Sequence, residues 1–187
     1  MLISKFDNKD IESYLKAFET KYRFDFPNIY RRFLLKYNGG YTPETKFNLN
    51  KISSDITGFY GFGNAKLNYS FFEHTQTIKD YLNDNLIPIA SNSYGDNILI
   101  GVTDEMKDKI YFLHHDKPKN YKLIADEFTA FIKNCKSKTI GKIRTIEERK
   151  QSMIANGLGN RITSESLKGW QAEIDLYGSM IQEKVVI

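Results

Sequence analysis

The sequence predicts an α+β fold: a mixed, mostly antiparallel sheet with flanking helices, followed by a C-terminal helical extension. Three observations predict it. Residues 26–40 write out one helix with both of its ends. Residues 97–102 and 109–114 are apolar runs joined by the polar stretch Thr103-Asp104-Glu105-Met106-Lys107-Asp108, the pattern of a hairpin. Beyond residue 139, helical spacing returns after a polar, lysine-bearing segment. The chain has 187 residues, of which 41% are hydrophobic and 14% aromatic, enough to bury a substantial core. The expected organisation is one domain over 1–138 and an extension over 139–187 that packs on it.

Taken in order, Asp7 or Asn8 is placed to cap a first helix whose apolar stripe is Ile11, Tyr14, Leu15, Phe18 and Tyr22. The second helix opens on Pro27, where a missing N–H costs nothing. It carries Phe26, Ile29, Tyr30, Phe33, Leu34 and Tyr37 on one face, and Asn38-Gly39-Gly40 stops it. From 41 to 72 helical periodicity vanishes, leaving short strands near 47–49 and 58–62. A helix is expected over 75–84 and strands over 86–90 and 97–102. Ile98-Leu99-Ile100 is apolar at every position, which predicts a central strand covered on both faces. Residues 109–114 return antiparallel, Pro118 ends them, and 122–124 add an edge. Asp126 is placed to cap a helix bearing Phe128, Phe131 and Ile132. Residues 136–142 read as a linker. Thr145 and Glu148 form a capping box, Gly157-Leu158-Gly159-Asn160 breaks that helix, and Thr163 starts another with the stripe Leu167, Trp170, Ile174 and Tyr177. Val185-Val186-Ile187 is an apolar tail expected to dock.

The motifs also resemble those of a known family. The helix ending in Asn38-Gly39-Gly40 resembles the opening motif of the SUKH superfamily (Smi/Knr-type proteins). In the same order follow Gly58-Phe59-Tyr60-Gly61-Phe62-Gly63, Leu86-Ile87-Pro88-Ile89-Ala90, Gly95-Asp96-Asn97-Ile98-Leu99-Ile100-Gly101-Val102, Lys109 to Asp116 with its His114-His115-Asp116 end, and the helix after Asp126. The resemblance covers about residues 5–135. It implies the bacterial immunity-protein branch, whose members bind and block a protein toxin, here one expected to be encoded nearby. Fungal relatives instead regulate cell-wall synthesis through protein contacts. Neither group is known for a shared catalytic site, so the resemblance implies a non-enzymatic binding protein.

Bulk properties agree with such a role. A formal charge of +4, from 27 basic and 23 acidic residues, is too even for a typical nucleic-acid binder. Cys135 is the only cysteine, so no internal disulfide is possible, which suits a reducing cytoplasm. The first residues lack the apolar core of a secretion signal, and no apolar run approaches membrane-spanning length. A cytoplasmic monomer or weak homodimer with no cofactor, no nucleic-acid partner and no membrane partner is expected.

Constellations with chemical potential are few. His114, His115 and Asp116 invite a metal or acid–base reading, with His74 as the remaining imidazole; strand alternation would put His114 and Asp116 on one side and His115 on the other. Their plain reading is a solvated strand end. Cys135 between Lys133 and Lys136 has the make-up of an activated thiol, but its plain reading is a small residue at a helix end. Asp96 with Asp116, or Glu73 with Asp55, are carboxylate pairs, yet Gly95-Asp96-Asn97 is turn chemistry. Neither glycine-rich segment has phosphate-loop spacing. No catalytic or metal residue is therefore assigned. Tyrosine is more informative, because it buries area at low entropic cost while keeping a polar tip. A protein-binding surface is expected from residues 57–69, 91–97 and 114–117, with Tyr60, Tyr69, Tyr94, Asp96, His115 and Asp116 as candidates.

Overall fold

The computed structural model describes every residue except 72–74, 104 and 179, and only the backbone of 67 and 75–77. It divides into two compact units. The first comprises residues 1–138 together with 182–187; the second comprises 139–181.

Among the described residues, the first unit is built on a nine-stranded sheet. Its strands are β1 (Leu2–Lys5), β2 (Gly40–Leu49), β3 (Ile52–Phe59), β4 (Leu86–Ser91), β5 (Asn97–Gly101), β6 (Ile110–Leu113), β7 (Lys122–Ala125), β8 (Lys136–Ser137) and β9 (Glu183–Lys184). The order is β7-β6-β5-β4-β3-β2-β1-β9, with β8 beside β2. Each of these strand pairings is antiparallel. The helices are α1 (Ile11–Tyr22), α2 (Asn28–Tyr37), α3 (Thr75–Leu82) and α4 (Phe128–Asn134).

Aromatic side chains join helices to sheet. Phe33 of α2 lies 5.2 Å from Phe59 of β3 and 5.2 Å from Phe128 of α4. Phe47 of β2 meets Phe131 of α4 and Phe112 of β6. Rings this large bury well over 100 Å² each, so they dominate the apolar stabilisation. The expected central strand is central. Ile98 and Ile100 face the main core, while Leu99 faces a second cluster with Leu86, Leu113 and Tyr81 of α3. Both faces are covered, which is why the sequence there is apolar without alternation.

Several stretches differ from the sequence expectation. β2 is ten residues long, not three, because its buried inward positions include Thr42 and Thr45, which carry no apolar signal. Pro43 cannot donate to a ladder, and the register shifts between Tyr41 and Thr45. The Thr42 hydroxyl donates to the Ile56 carbonyl at this irregularity, and Thr45 Oγ1 bonds Ser137 Oγ at 2.7 Å. The second difference is at α1. Its cap position is Asp10 in the left-handed conformation, with no side-chain cap. Asp7 instead accepts from the Lys9 N–H, and Asn8 reaches the carbonyls of Leu35 and Lys36. Likewise Glu127, not Asp126, precedes α4.

The Asn38-Gly39-Gly40 stop has a second task. Asn38 ends α2 at φ 51° and is buried. Its side chain accepts from the Phe62 N–H at 2.8 Å and donates to the Phe62 carbonyl at 2.9 Å, pairing like a backbone unit. Gly61 passes so close that a Cβ there would sit 2.1 Å from the Asn38 carbonyl oxygen. The helix stop and the aromatic–glycine segment are thus locked together.

Residues 182–187 complete the first unit. β9 pairs β1, Val185 is buried, and the Val186 N–H donates to the Tyr37 hydroxyl at 3.0 Å. Residues 136 and 137, read as linker, form β8.

The second unit holds α5 (Ile146–Ala155) and α6 (Ser164–Tyr177). Both open on capping boxes, Thr145 with Glu148 and Thr163 with Ser166. Arg149 Nη1 of α5 meets Glu173 Oε2 of α6 at 2.7 Å, and its guanidinium lies 6.0 Å from the Trp170 ring. No described residue of either helix is fully buried.

Candidate protein-binding surface

The turn between β4 and β5 is built on Asn92. Its Oδ1 accepts from the N–H groups of Tyr94 at 3.0 Å and Asp96 at 2.8 Å, an Asx turn. Gly95 takes the positive φ of 84° that closes the loop. This geometry throws Tyr94 outward, where it is 74% exposed, while Asp96 turns inward and is 5% exposed.

Asp96 then crosses to the neighbouring hairpin. Its Oδ1 accepts from the His115 N–H at 2.9 Å and faces His115 Nδ1 at 2.8 Å. Its Oδ2 accepts from Asn92 Nδ2 at 2.9 Å and lies 3.5 Å from His114 Nδ1. Asn92 Nδ2 also reaches Ser54 Oγ of β3 at 2.9 Å. Burial disfavours the Asp96 carboxylate. The bonds from His115 and Asn92, with the nearby His114 imidazole, outweigh burial, so its pKa lies below the ordinary 3.8. The sequence reading had Asp96 serving its own turn. Asn92 does that, and Asp96 ties the β4–β5 turn to the end of β6.

The histidines also depart from simple alternation. β6 ends at Leu113, so the strand no longer dictates opposite sides. A turn closed by the Lys117 N–H on the His114 carbonyl at 3.0 Å brings both imidazoles to one carboxylate. Their side chains stay open to solvent, 43% for His114 and 59% for His115, and Asp116 and Lys117 beside them are exposed.

Not every candidate stands on this surface. Tyr60 is a correction: it was expected exposed, but it is 7% exposed and belongs to the main core. The Gly39 and Gly61 close approaches draw its segment inward, and its N–H bonds the Ile89 carbonyl. Burial pushes its hydroxyl up to about 12. Its Oη still donates to Asn97 Oδ1 at 3.3 Å, beneath the β4–β5 turn. Tyr69 is half-buried and packs with Phe6, Tyr41 and Tyr60. Asp96 is buried, and its carboxylate is bonded to Asn92 and His115. Residues 91–97 and 114–117 therefore converge, and the outward groups are Tyr94, His114, His115, Asp116 and Lys117.

The remaining chemical candidates resolve into structure. Cys135 is buried, its thiol is pushed up to about 12 chiefly by burial, and Sγ faces the Phe131 carbonyl. Asp55 accepts from the Ser93 N–H. His74 and Glu73 lie outside the described residues. Among the described residues no group of three or more His, Cys, Asp or Glu is placed to hold a metal, and no helix is long and apolar enough to cross a membrane.

Comparison with known proteins agrees with the motif order. A model of the SMI1 / KNR4 family (SUKH-1) matches residues 12–134. The chain is also 29% identical over 141 residues to the SPbeta prophage-derived uncharacterized protein YokK of Bacillus subtilis (strain 168), covering 63% of this chain and 70% of that protein. With more than half of its length matched, from α1 through α4, the chain belongs to the SMI1/KNR4 family, SUKH-1.

Proposed function

We propose that this protein is an immunity protein that binds a partner protein toxin and neutralises it by occlusion, without catalysis of its own. The family supports this, since its bacterial members include immunity proteins. The observation that carries it is the preformed face around Asp96. A tyrosine exposed at 74% stands on a turn whose neighbouring carboxylate is buried and multiply bonded. An aromatic anchor held rigid and ringed by polar groups is the make-up of an interface hot spot. Rigidity matters because ordering the surface on binding would subtract from affinity.

The test is co-expression. A toxin encoded beside this gene should arrest growth when expressed alone and lose that effect when this chain is expressed with it. Growth arrest that persists despite a folded, abundant chain would refute the reading for that toxin. Rescue without a physical complex would favour a regulator over an occluding inhibitor.

A further inference from the structure

We infer that the cleft between the end of α4, β8 and the paired strands β1 and β9 is a binding site for a small organic phosphate. A phosphate monoester would meet three lysines there and lay its apolar body against the cleft wall. The site lies toward the β9 end of the sheet, away from the Tyr94 turn between β4 and β5. The cleft is half-open and offers about 550 Å³, the scale of small-molecule sites. Every residue lining it belongs to the first unit.

Three lysines arrive from three elements: Lys133 from α4, Lys136 from β8 and Lys184 from β9. Among the described residues no carboxylate lines the cleft. The acids on the adjoining strands are already taken, Glu183 of β9 by Lys5 at 3.4 Å and Glu44 of β2 by Lys138 at 3.2 Å. Among the described residues none of Lys133, Lys136 and Lys184 has an ion-pair partner. Lys136 Nζ reaches the Lys133 carbonyl at 3.5 Å, which uses one of its three donors and leaves two. Three ammonium groups around one hollow repel one another, and an anion between them relieves that repulsion.

The walls are fixed before any ligand arrives. Ser137 Oγ accepts from the Leu2 N–H at 2.8 Å and bonds Thr45 Oγ1 at 2.7 Å, tying β8 to β1 and β2. The Val185 N–H donates to the Met1 carbonyl at 3.0 Å, which ties the return strand to β1. Thr45 gives its own hydrogen to the Pro43 carbonyl, so Ser137 donates to Thr45 and its hydroxyl is spent. Recognition of an anion therefore falls to the lysines. Lysine is a compact point charge with movable donors and suits a tetrahedral phosphate. A planar carboxylate is matched better by the fork of arginine, and among the described residues no arginine lines the cleft. Half-buried Leu2, with Ile132 and Val185, supplies an apolar wall. That wall favours an ester over a bare inorganic ion.

The probes are adenosine monophosphate, hexyl phosphate and inorganic phosphate, each titrated at fixed ionic strength into the isotope-labelled full chain and followed by amide NMR. At least one ester should saturate, with shifts centred on the amides of Leu2, Cys135, Lys136, Ser137 and Val185. It should bind at least about fivefold more tightly than inorganic phosphate. The tighter ester tells whether the body of the ligand is a nucleoside or an alkyl chain. The double variant Lys136→Gln/Lys184→Gln, checked to keep its thermal midpoint, should weaken that binding at least about tenfold. Lys184→Glu alone should weaken it in the same direction. Lys16→Gln/Lys21→Gln removes the same charge from the exposed face of α1, where a shallower groove is lined by that helix alone, and should bind like the wild type. No saturation by either ester below about 10 mM, or inorganic phosphate binding as tightly as both esters, would overturn the inference. So would binding that survives loss of Lys136 and Lys184, or an equal loss in the two double variants.

Discussion

Asp96 and His115 are joined twice through one oxygen: Oδ1 faces the His115 N–H at 2.9 Å and the imidazole Nδ1 at 2.8 Å. This double link holds the β4–β5 turn to the end of β6, two hairpins that share the β5–β6 ladder. Removing the carboxylate in Asp96→Ala leaves those donors without their acceptor and should destabilise the fold by about 2–3 kcal/mol. Denaturant unfolding measures this. A loss under about 0.5 kcal/mol would mean the link carries little of the fold.

The same residue predicts an acid dependence. The folded-state pKa of Asp96 lies below the ordinary value of 3.8. Its contribution is therefore fully present well above the ordinary 3.8 and is lost as pH falls through the folded value. Stability profiles from pH 5 to pH 2 should be flatter for Asp96→Asn than for the wild type. Parallel profiles would assign the acid loss to other carboxylates.

The lock between α2 and the aromatic–glycine segment should be intolerant of small changes. In Gly61→Ala the new methyl would lie 2.1 Å from the Asn38 carbonyl oxygen, a backbone atom that cannot rotate away, so the chain must move. Asn38→Ala deletes three side-chain bonds, a part-buried one to the Asp7 carbonyl and two buried ones to the N–H and carbonyl of Phe62. Each variant should cost about 2–4 kcal/mol, measured by thermal unfolding. A near-native midpoint for either would show that the segments can separate without cost.

Cys135 should behave as an inert thiol. Burial holds it near 12, so almost no thiolate forms at neutral pH and the sulfur is shielded. A thiol reagent should label it at least about a hundredfold more slowly in the folded protein than in denaturant. Rapid labelling of the folded state would reopen a reactive-thiol role.

In the second unit, Thr145 accepts from the Glu148 N–H at 3.2 Å and Glu148 returns to the Thr145 N–H at 2.8 Å. Thr145→Ala should weaken the start of α5 by about 1 kcal/mol, visible as a loss of helical circular dichroism on heating. Unchanged melting would mean that the box adds nothing to α5.

Apolar patterning made much of this fold legible. α2, the β5–β6 hairpin and both C-terminal helix starts lie where spacing and capping residues put them, and α4 lies where its apolar spacing put it, with its cap position one residue beyond the expected one. β2 was largely hidden because Thr42 and Thr45 fill its inward positions and Pro43 interrupts its ladder. β1, β8 and β9 were hidden because strands of two to four residues carry no period. In the site, residue type pointed to Tyr94, His115 and Asp116, but burial is a tertiary property that residue type does not encode. Tyr60 looked like the exposed tyrosines and is core. Asn92, which builds the turn, and His114, which shares the carboxylate, were not singled out for this surface. An asparagine four residues before an aspartate across Gly95 was the signal available for the turn.

The central claim is that the face around Tyr94 binds a protein partner. The most direct measurement is the dissociation constant of the purified complex with the proposed toxin partner for wild type against Tyr94→Ala and His115→Ala, with thermal midpoints recorded for each. Tyr94 is exposed at 74%, so Tyr94→Ala should leave the midpoint nearly unchanged. It should weaken binding by about 30-fold, the equivalent of a 2 kcal/mol hot spot. Loss of the Asp96 contact should weaken binding by His115→Ala as well. Both variants binding like the wild type with intact midpoints would contradict the account and place the interface elsewhere on the chain.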